Sequence, residues 1–154
     1  SVTLDSSTQT FDTGTFAAKK YLWIQGVIEL TSGNTTWVRA NSDLGNNYAG
    51  RGSLNGASDS TRINEDGMRD TLETAAGRHF INMYVLNNIT TQKLFLSHVV
   101  HQGTDGAGYY PNRRVGARQW SNTLAQITSL QFTASGTPTN NIVSGSTLKV
   151  WGSD

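Results

Sequence analysis

The sequence predicts an all-β protein: a single-domain antiparallel β-sandwich spanning residues 1–154, with about eight strands and at most one short helix. Three observations carry that expectation. The composition holds twenty threonines, fifteen serines, thirteen asparagines and sixteen glycines in 154 residues, types that favour strands and turns over helix interiors. Residues 21–30 alternate with a period of two, placing Leu22, Ile24, Gly26, Ile28 and Leu30 on one side and Tyr21, Trp23, Gln25, Val27 and Glu29 on the other. Short apolar runs then recur between polar turn-forming segments, at the spacing of a sandwich or barrel.

The elements follow in order. Short strands are expected near residues 2–4 and 8–11, then the long strand 21–30, then 35–40 around Trp37 and Val38. Residues 41–60 are rich in glycine, asparagine and serine and are expected to form a long loop. Residues 64–77 have an Asn64 N-cap, acids in the first turn, apolar positions at Met68, Leu72, Ala75 and Ala76, and a glycine stop; they fit a short helix or an irregular turn. Gly67 inside that segment weakens a helix by about 1 kcal/mol relative to alanine. Residues 80–86 and 93–101 are joined by a polar connection of hairpin length and are expected to pair antiparallel. Further strands are expected at 113–120, 127–133 and 146–151. The core expected from this alternation is Leu22, Ile24, Ile28, Leu30, Leu94, Leu96, Leu130, Phe132, Leu148 and Val150.

Counting narrows the chemistry. With no cysteine, disulfides, thiolate metal sites and thiol nucleophiles are excluded. A net charge of +1 gives no bulk electrostatic attraction to nucleic acid or anionic membrane. No apolar run approaches the ~20 residues of a spanning helix, and Ser1 to Asp5 lack signal-peptide character, so a soluble chain is expected. No nucleophile elbow surrounds any serine. His98 and His101, three apart on one strand, point to opposite faces and do not chelate one ion, and His79 brings no third ligand. Of the acids, Glu29 stands on the long strand. Glu65, Asp66, Asp70 and Glu73 alternate with Arg62, Arg69 and Arg78, which reads as a mutually screened polar face. No catalytic residue, metal or cofactor is therefore expected.

What remains points to contact. Residues 106–118 combine flexible glycine with Tyr109, Tyr110, Arg113, Arg114 and Arg118, and tyrosine and arginine are enriched at interface hot spots. With Trp23 and Trp151 they form the expected interface. Trp37 and Tyr109 are the alternative, a platform for sugar rings.

Several motifs extend this reading: Phe11-Asp12 before the long apolar strand; Asn41-Ser42-Asp43-Leu44-Gly45-Asn46-Asn47-Tyr48; Trp120 followed by Ala125-Gln126-Ile127-Thr128-Ser129-Leu130; and Gly145-Ser146-Thr147-Leu148-Lys149-Val150-Trp151-Gly152. Together they resemble a loose class of small structural proteins of tailed bacteriophages. The resemblance implies a jelly-roll-like sandwich on the virion surface, made in the host cytoplasm, that decorates the capsid or belongs to a tail or fibre, without catalysis. Its implied partners are other copies of itself, a trimer being preferred to a dimer, and virion proteins such as the major capsid protein. If Arg113 instead faces an acidic partner such as a capsid subunit, the isolated chain is expected to be monomeric. A tail-fibre or receptor-binding module recognising host carbohydrate is the alternative.

Overall fold

The structure, a computed structural model, describes residues 1–32, 35–72, 75–136 and 139–154. Its strands are β1 Val2–Thr3, β2 Thr10–Asp12, β3 Tyr21–Leu30, β4 Thr36–Ala40, β5 Tyr48–Leu54, β6 Ser60–Glu65, β7 Met68–Arg69, β8 Gly77–Leu86, β9 Lys93–Gln102, β10 Asn112–Trp120, β11 Leu130–Ala134 and β12 Thr147–Ser153. One sheet of eight strands runs β1-β12-β3-β8-β9-β10-β5-β6, and a second of four runs β2-β11-β4-β7. Every pairing is antiparallel, so the all-β sandwich expectation holds.

The core lies between the two sheets. Leu22, Ile24 and Ile28 of β3, Ile81, Met83 and Val85 of β8, and Phe95 and Val99 of β9 pack with Phe11, Val38, Leu130 and Phe132 of the smaller sheet. Alternation along β3 is therefore read correctly, and 80–86 and 93–101 do form an antiparallel pair within β8 and β9. Val150 is only partly buried against this core.

Four expectations are corrected. Leu94 and Leu96 point outward and are 50% and 63% exposed, because the β8–β9 register pairs them with the outward-facing Leu86 and Tyr84 and turns Phe95 inward opposite Val85. The presumed loop at 41–60 contains all of β5 and the first residue of β6. Gly50 and Gly52 are strand residues that make room: a Cβ on Gly50 would stand 2.7 Å from Cγ of Arg118. Residues 64–77 show no helix where described. Instead, the chain leaves the large sheet at Glu65 and enters the small one at Met68, so that two glycine-hinged strand ends replace the expected helical turn. Gly67 is needed at that corner because a Cβ would meet the Trp37 ring at 2.9 Å.

The last correction concerns 127–133, which is a strand only from Leu130. The backbone before it is held by side-chain amides instead of a ladder. The Asn87 amide accepts from Ile127 N at 2.7 Å and donates to Ile127 O, while Asn41 Oδ1 accepts from Thr128 N and Ser129 N. Such bonds satisfy buried backbone groups that would otherwise be costly.

Candidate functional site

The outer face of the eight-stranded sheet is the largest feature that folding leaves unused. Register fixes its composition level by level. The first level carries Tyr21, Leu86, Leu94 and Gln119; the second carries Trp151, Trp23, Tyr84, Leu96, Ala117 and Arg51. A third, polar level holds Lys149, Gln25, Asn82 and His98, with Val115 beyond, and a fourth holds Thr147, Val27, Phe80, Val100 and Arg113. Glu29 and Arg78 close that end as an ion pair at 3.8 Å, and Arg51 and Asp59 pair at 3.7 Å on the β5 side. Tyr21, Trp23, Phe80, Tyr84, Leu94, Leu96, Val100 and Trp151 are all exposed large apolar side chains. On the first two levels Tyr21, Trp23, Tyr84, Leu94, Leu96 and Trp151 adjoin, separated from Phe80 and Val100 by the polar third level.

The aromatics on the second level are ordered. The strand order β12-β3-β8 puts Trp23 between Trp151, with ring centroids 4.8 Å apart, and Tyr84, at 6.1 Å and nearly parallel. Trp23 Nε1 also donates to Asn82 Oδ1 at 2.5 Å. The Trp23 faces are turned to its neighbours, so the row presents edges outward as a ridge. Hollows adjoin Tyr84 on both sides: a smaller one of about 240 Å³ among Tyr21, Trp23 and Trp151 beside the ridge, and two larger ones towards β9 and β10. One, of about 450 Å³, is bordered by Tyr84, Leu86, Leu94, Leu96 and Ala117. The other, of about 390 Å³, is bordered by Tyr84, Leu96, Asn82, His98, Val115 and Arg51.

The residues expected to form an interface divide. Trp23 and Trp151 are brought together, directly paired in register. Tyr109 and Tyr110 lie exposed in the loop between β9 and β10, and Arg113 is exposed on the outer face beside Val100. Arg114 and Arg118, however, point inward, because on β10 they alternate with the outward Arg113, Val115 and Ala117. Arg118 is 6% exposed. It donates to Ser97 Oγ and to the Asp70 carbonyl, both at 2.7 Å, and to the Arg69 carbonyl at 3.3 Å, while Arg114 also reaches the Asp70 carbonyl. Burial first, and the neighbouring Arg114 charge second, pull the Arg118 pKa down to about 10. It is a structural cation that ties β10 to the end of β7 and is withdrawn from any surface.

The alternative sugar platform is not assembled either. Trp37 sits on the smaller sheet, flanked by the guanidinium groups of Arg39 and Arg69 at 5.2 and 5.1 Å, whereas Tyr109 belongs to the β9–β10 loop of the larger sheet. No ring contact joins Trp37 and Tyr109 among the described residues.

The titratable groups are engaged in the fold. Arg39 binds Asp66, Arg69 binds Glu65 and Asp66, and Arg62 binds Asp70, as the screened face predicts; Arg78 pairs with Glu29 instead, and Glu73 lies outside the described residues. Burial tends to raise the Asp66 pKa, but the bonds and charges of Arg39 and Arg69 outweigh it and hold the carboxyl low. His98 faces out and His101 in, as expected. His101 stacks on the buried His79 at 4.4 Å, and its Nε2 lies 2.8 Å from the Ala76 carbonyl. No group of three metal-ligating side chains is assembled among the described residues.

Two of the four sequence motifs, Asn41–Tyr48 and the one that begins at Trp120, are joined in the fold. The Asp43 carboxylate accepts from Gly45 N, Asn47 Nδ2 and, at 2.7 Å, Nε1 of Trp120, while the Tyr48 hydroxyl accepts from Ala40 N. These bonds overcome the tendency of burial to raise the Asp43 pKa and leave it lowered. Both motifs therefore hold the β4–β5 loop against the end of β10. No family model matches the chain, and no curated protein matches it.

Proposed function

We propose that this chain is a non-enzymatic structural protein that works by protein–protein contact, and that its setting is the surface of a bacteriophage virion, most simply as a capsid decoration protein. The observation that carries the contact reading is the apolar outer face of the eight-stranded sheet, exposed on four successive strands where a sandwich otherwise turns polar side chains to water. The setting rests on the motif resemblance and on an uncharged Thr/Ser/Asn surface.

Quantitative mass spectrometry of purified particles from the source of the chain tests the setting. A stoichiometric copy number, with the apolar face protected from hydrogen exchange or labelling in the particle, is the expected result. Absence from particles overturns the setting, and hydrolysis of a glycan panel that is lost in Glu29→Gln overturns the non-enzymatic reading.

A second reading, recognition of host carbohydrate by a tail-fibre module, is favoured by one feature only. The hollow beside Tyr84 sets one aromatic ring among Asn82, His98, Arg51 and Asp59, the mixture of ring face and hydrogen-bonding groups that sugars use. Glycan-array binding lost in Tyr84→Ala but retained in Trp37→Ala is its expected signature.

A further inference from the structure

The outer face has the Trp23–Trp151 ridge on one half, with only a smaller hollow beside it, and its two larger hollows towards the other half, and we propose that its occupant is a second copy of this chain, packed sheet against sheet about a two-fold axis that runs along β8. This deepens the contact reading and rests on it, though not on the virion setting. The ridge is Trp151 and Trp23 on β12 and β3; the larger hollows lie towards β9 and β10, where Leu96 and Ala117 occupy the same level. Rotation by 180° about an axis parallel to β8 and lying between the two copies keeps every level in place and exchanges the halves. Trp23 of one copy then stands over Leu96 of the other, Trp151 over Ala117, Tyr21 over Leu94, and Tyr84 meets its equivalent. Large side chains oppose small ones, as a self-complementary interface requires.

The polar groups agree with this arrangement. The same rotation places Gln25 opposite His98, and sets Asn82 against its own equivalent. Lys149 faces Val115, so no lysine is driven against a second lysine. The acids that border the face, Glu29 and Asp59, are already paired with Arg78 and Arg51 within the chain, and the exposed cations Lys149 and Arg113 would stand over Val115 and Thr147 of the other copy, so that no like charges are opposed. Two sheets of the same right-handed twist also fit each other, with strands within about 30°.

Area is sufficient. The patch spans five strands about 4.8 Å apart and four levels along strands rising about 3.3 Å per residue, roughly 20 Å by 20 Å before side-chain relief. With relief and rim, that is on the order of 600 Å² per copy, or about 1,200 Å² in total, the low end of a specific stable interface. An isologous pair uses this one patch twice, whereas a trimer needs two different patches, so the face favours a dimer over the trimer that the resemblance suggests.

Sedimentation equilibrium of the purified chain tests the inference, with a dimer of micromolar or tighter affinity expected. Leu96→Arg and Ala117→Arg, on the hollow side, are expected to weaken it about 30-fold or more, whereas Leu44→Arg, at an exposed position in the β4–β5 loop away from the patch, leaves it unchanged. Because the chain has no cysteine, a single Asn82→Cys or Tyr84→Cys on the axis is expected to link the two copies through a short bismaleimide, and Lys149→Cys, off the axis, is not.

A dimer that survives Leu96→Arg and cross-links equally from Lys149→Cys overturns the proposed face. A monomer at about 100 µM whose apolar face is nonetheless protected in particles overturns the second copy as occupant and leaves the contact reading standing. A monomer whose face is protected nowhere overturns both. Monomeric chain that binds an arrayed glycan through Tyr84 overturns it in favour of carbohydrate.

Discussion

At the β3 end of the eight-stranded sheet, the inward side is aliphatic, with Leu22, Ile24 and Ile28, and burial alone accounts for it. At the β9–β10 end the inward side carries Lys93, Ser97, His101, Arg114 and Arg118 among Phe95, Val99 and Trp120, while Leu94, Leu96 and Val100 face outward. The two ends teach different rules. Where a strand has one apolar side, that side goes in. Where both sides mix, hydrogen-bond acceptors decide: Lys93 reaches the carbonyls of Thr91 and Asn122 at 2.8 Å, and Arg118 reaches those of Asp70 and Arg69. A buried cation with such partners avoids the penalty of an unsatisfied one, and the leucines it displaces are left for another surface.

The largest effect that bears on this contrast belongs to the aliphatic end. Ile24 is fully buried, and Ile24→Ala is expected to cost on the order of 2–5 kcal/mol through lost transfer energy and a residual cavity. Urea unfolding followed by tryptophan fluorescence measures it. A cost under 1 kcal/mol means that β3 does not anchor the core.

The polar end is tested next. Removing the guanidinium in Arg118→Ala takes a donor from the Ser97 hydroxyl and from the Arg69 and Asp70 carbonyls, although Arg114 still reaches Asp70 and Ser97 still reaches the Gly116 carbonyl, and is expected to cost about 1–3 kcal/mol. Gly116 sharpens this, since a Cβ there would stand 2.0 Å from Arg118 Nη1. Gly116→Ala is expected to cost about 1–3 kcal/mol by overpacking and markedly less in an Arg118→Ala background. A double-mutant cycle with no coupling would show that the guanidinium does not occupy this space.

These same residues explain what was legible in the sequence. The strands at β3, β4, β8, β9, β10 and β12 have apolar periodicity and can be read directly. β5 cannot, because Gly50 and Gly52 look like loop residues when the reason for them, Arg118 and the close approach of β10, lies more than sixty positions away. The phase of β9 is equally hidden, since Leu94 and Leu96 have the stronger apolar signal and only the pairing with β8 turns Phe95 inward. Of the expected interface, Trp23 on β3 and Trp151 on β12 do meet, because the two strands pair. Arg114 and Arg118 turn inward, and sequence shows charge but not the carbonyls that receive it. Alternation from the outward Arg113 was a usable signal that Arg114 does not share its face.

Acid acts on the corner between the sheets. The Asp66 carboxyl is held below its usual 3.8 by Arg39 and Arg69, so its contribution is fully present above about pH 4 and is lost as pH falls through the lowered folded value. Asp43 follows the same sign. Because the Asp66 side chain is about one-third exposed, the effect is expected to stay below about 1 kcal/mol. Urea midpoints from neutral pH down to about pH 2 should fall, and Asp66→Asn should flatten part of that slope. An unchanged slope would mean that the ion pairs contribute nothing at this corner.

The smallest effect is the one most specific to the contrast. Alternation alone counts Leu96 as core, for which truncation would cost several kcal/mol; its outward position predicts a loss within about 0.5 kcal/mol for Leu96→Ala in the isolated chain. The measurement must be made at submicromolar concentration, where association is negligible, since a partner that binds only the folded state adds apparent stability by mass action. Repeating it at high concentration separates the two contributions: the loss should then grow, because the same leucine is expected to fill part of an interface. A loss of several kcal/mol in the dilute chain would put Leu96 inside and reverse the phase of β9. A loss that stays small at every concentration would keep the fold as described and remove Leu96 from the contact surface.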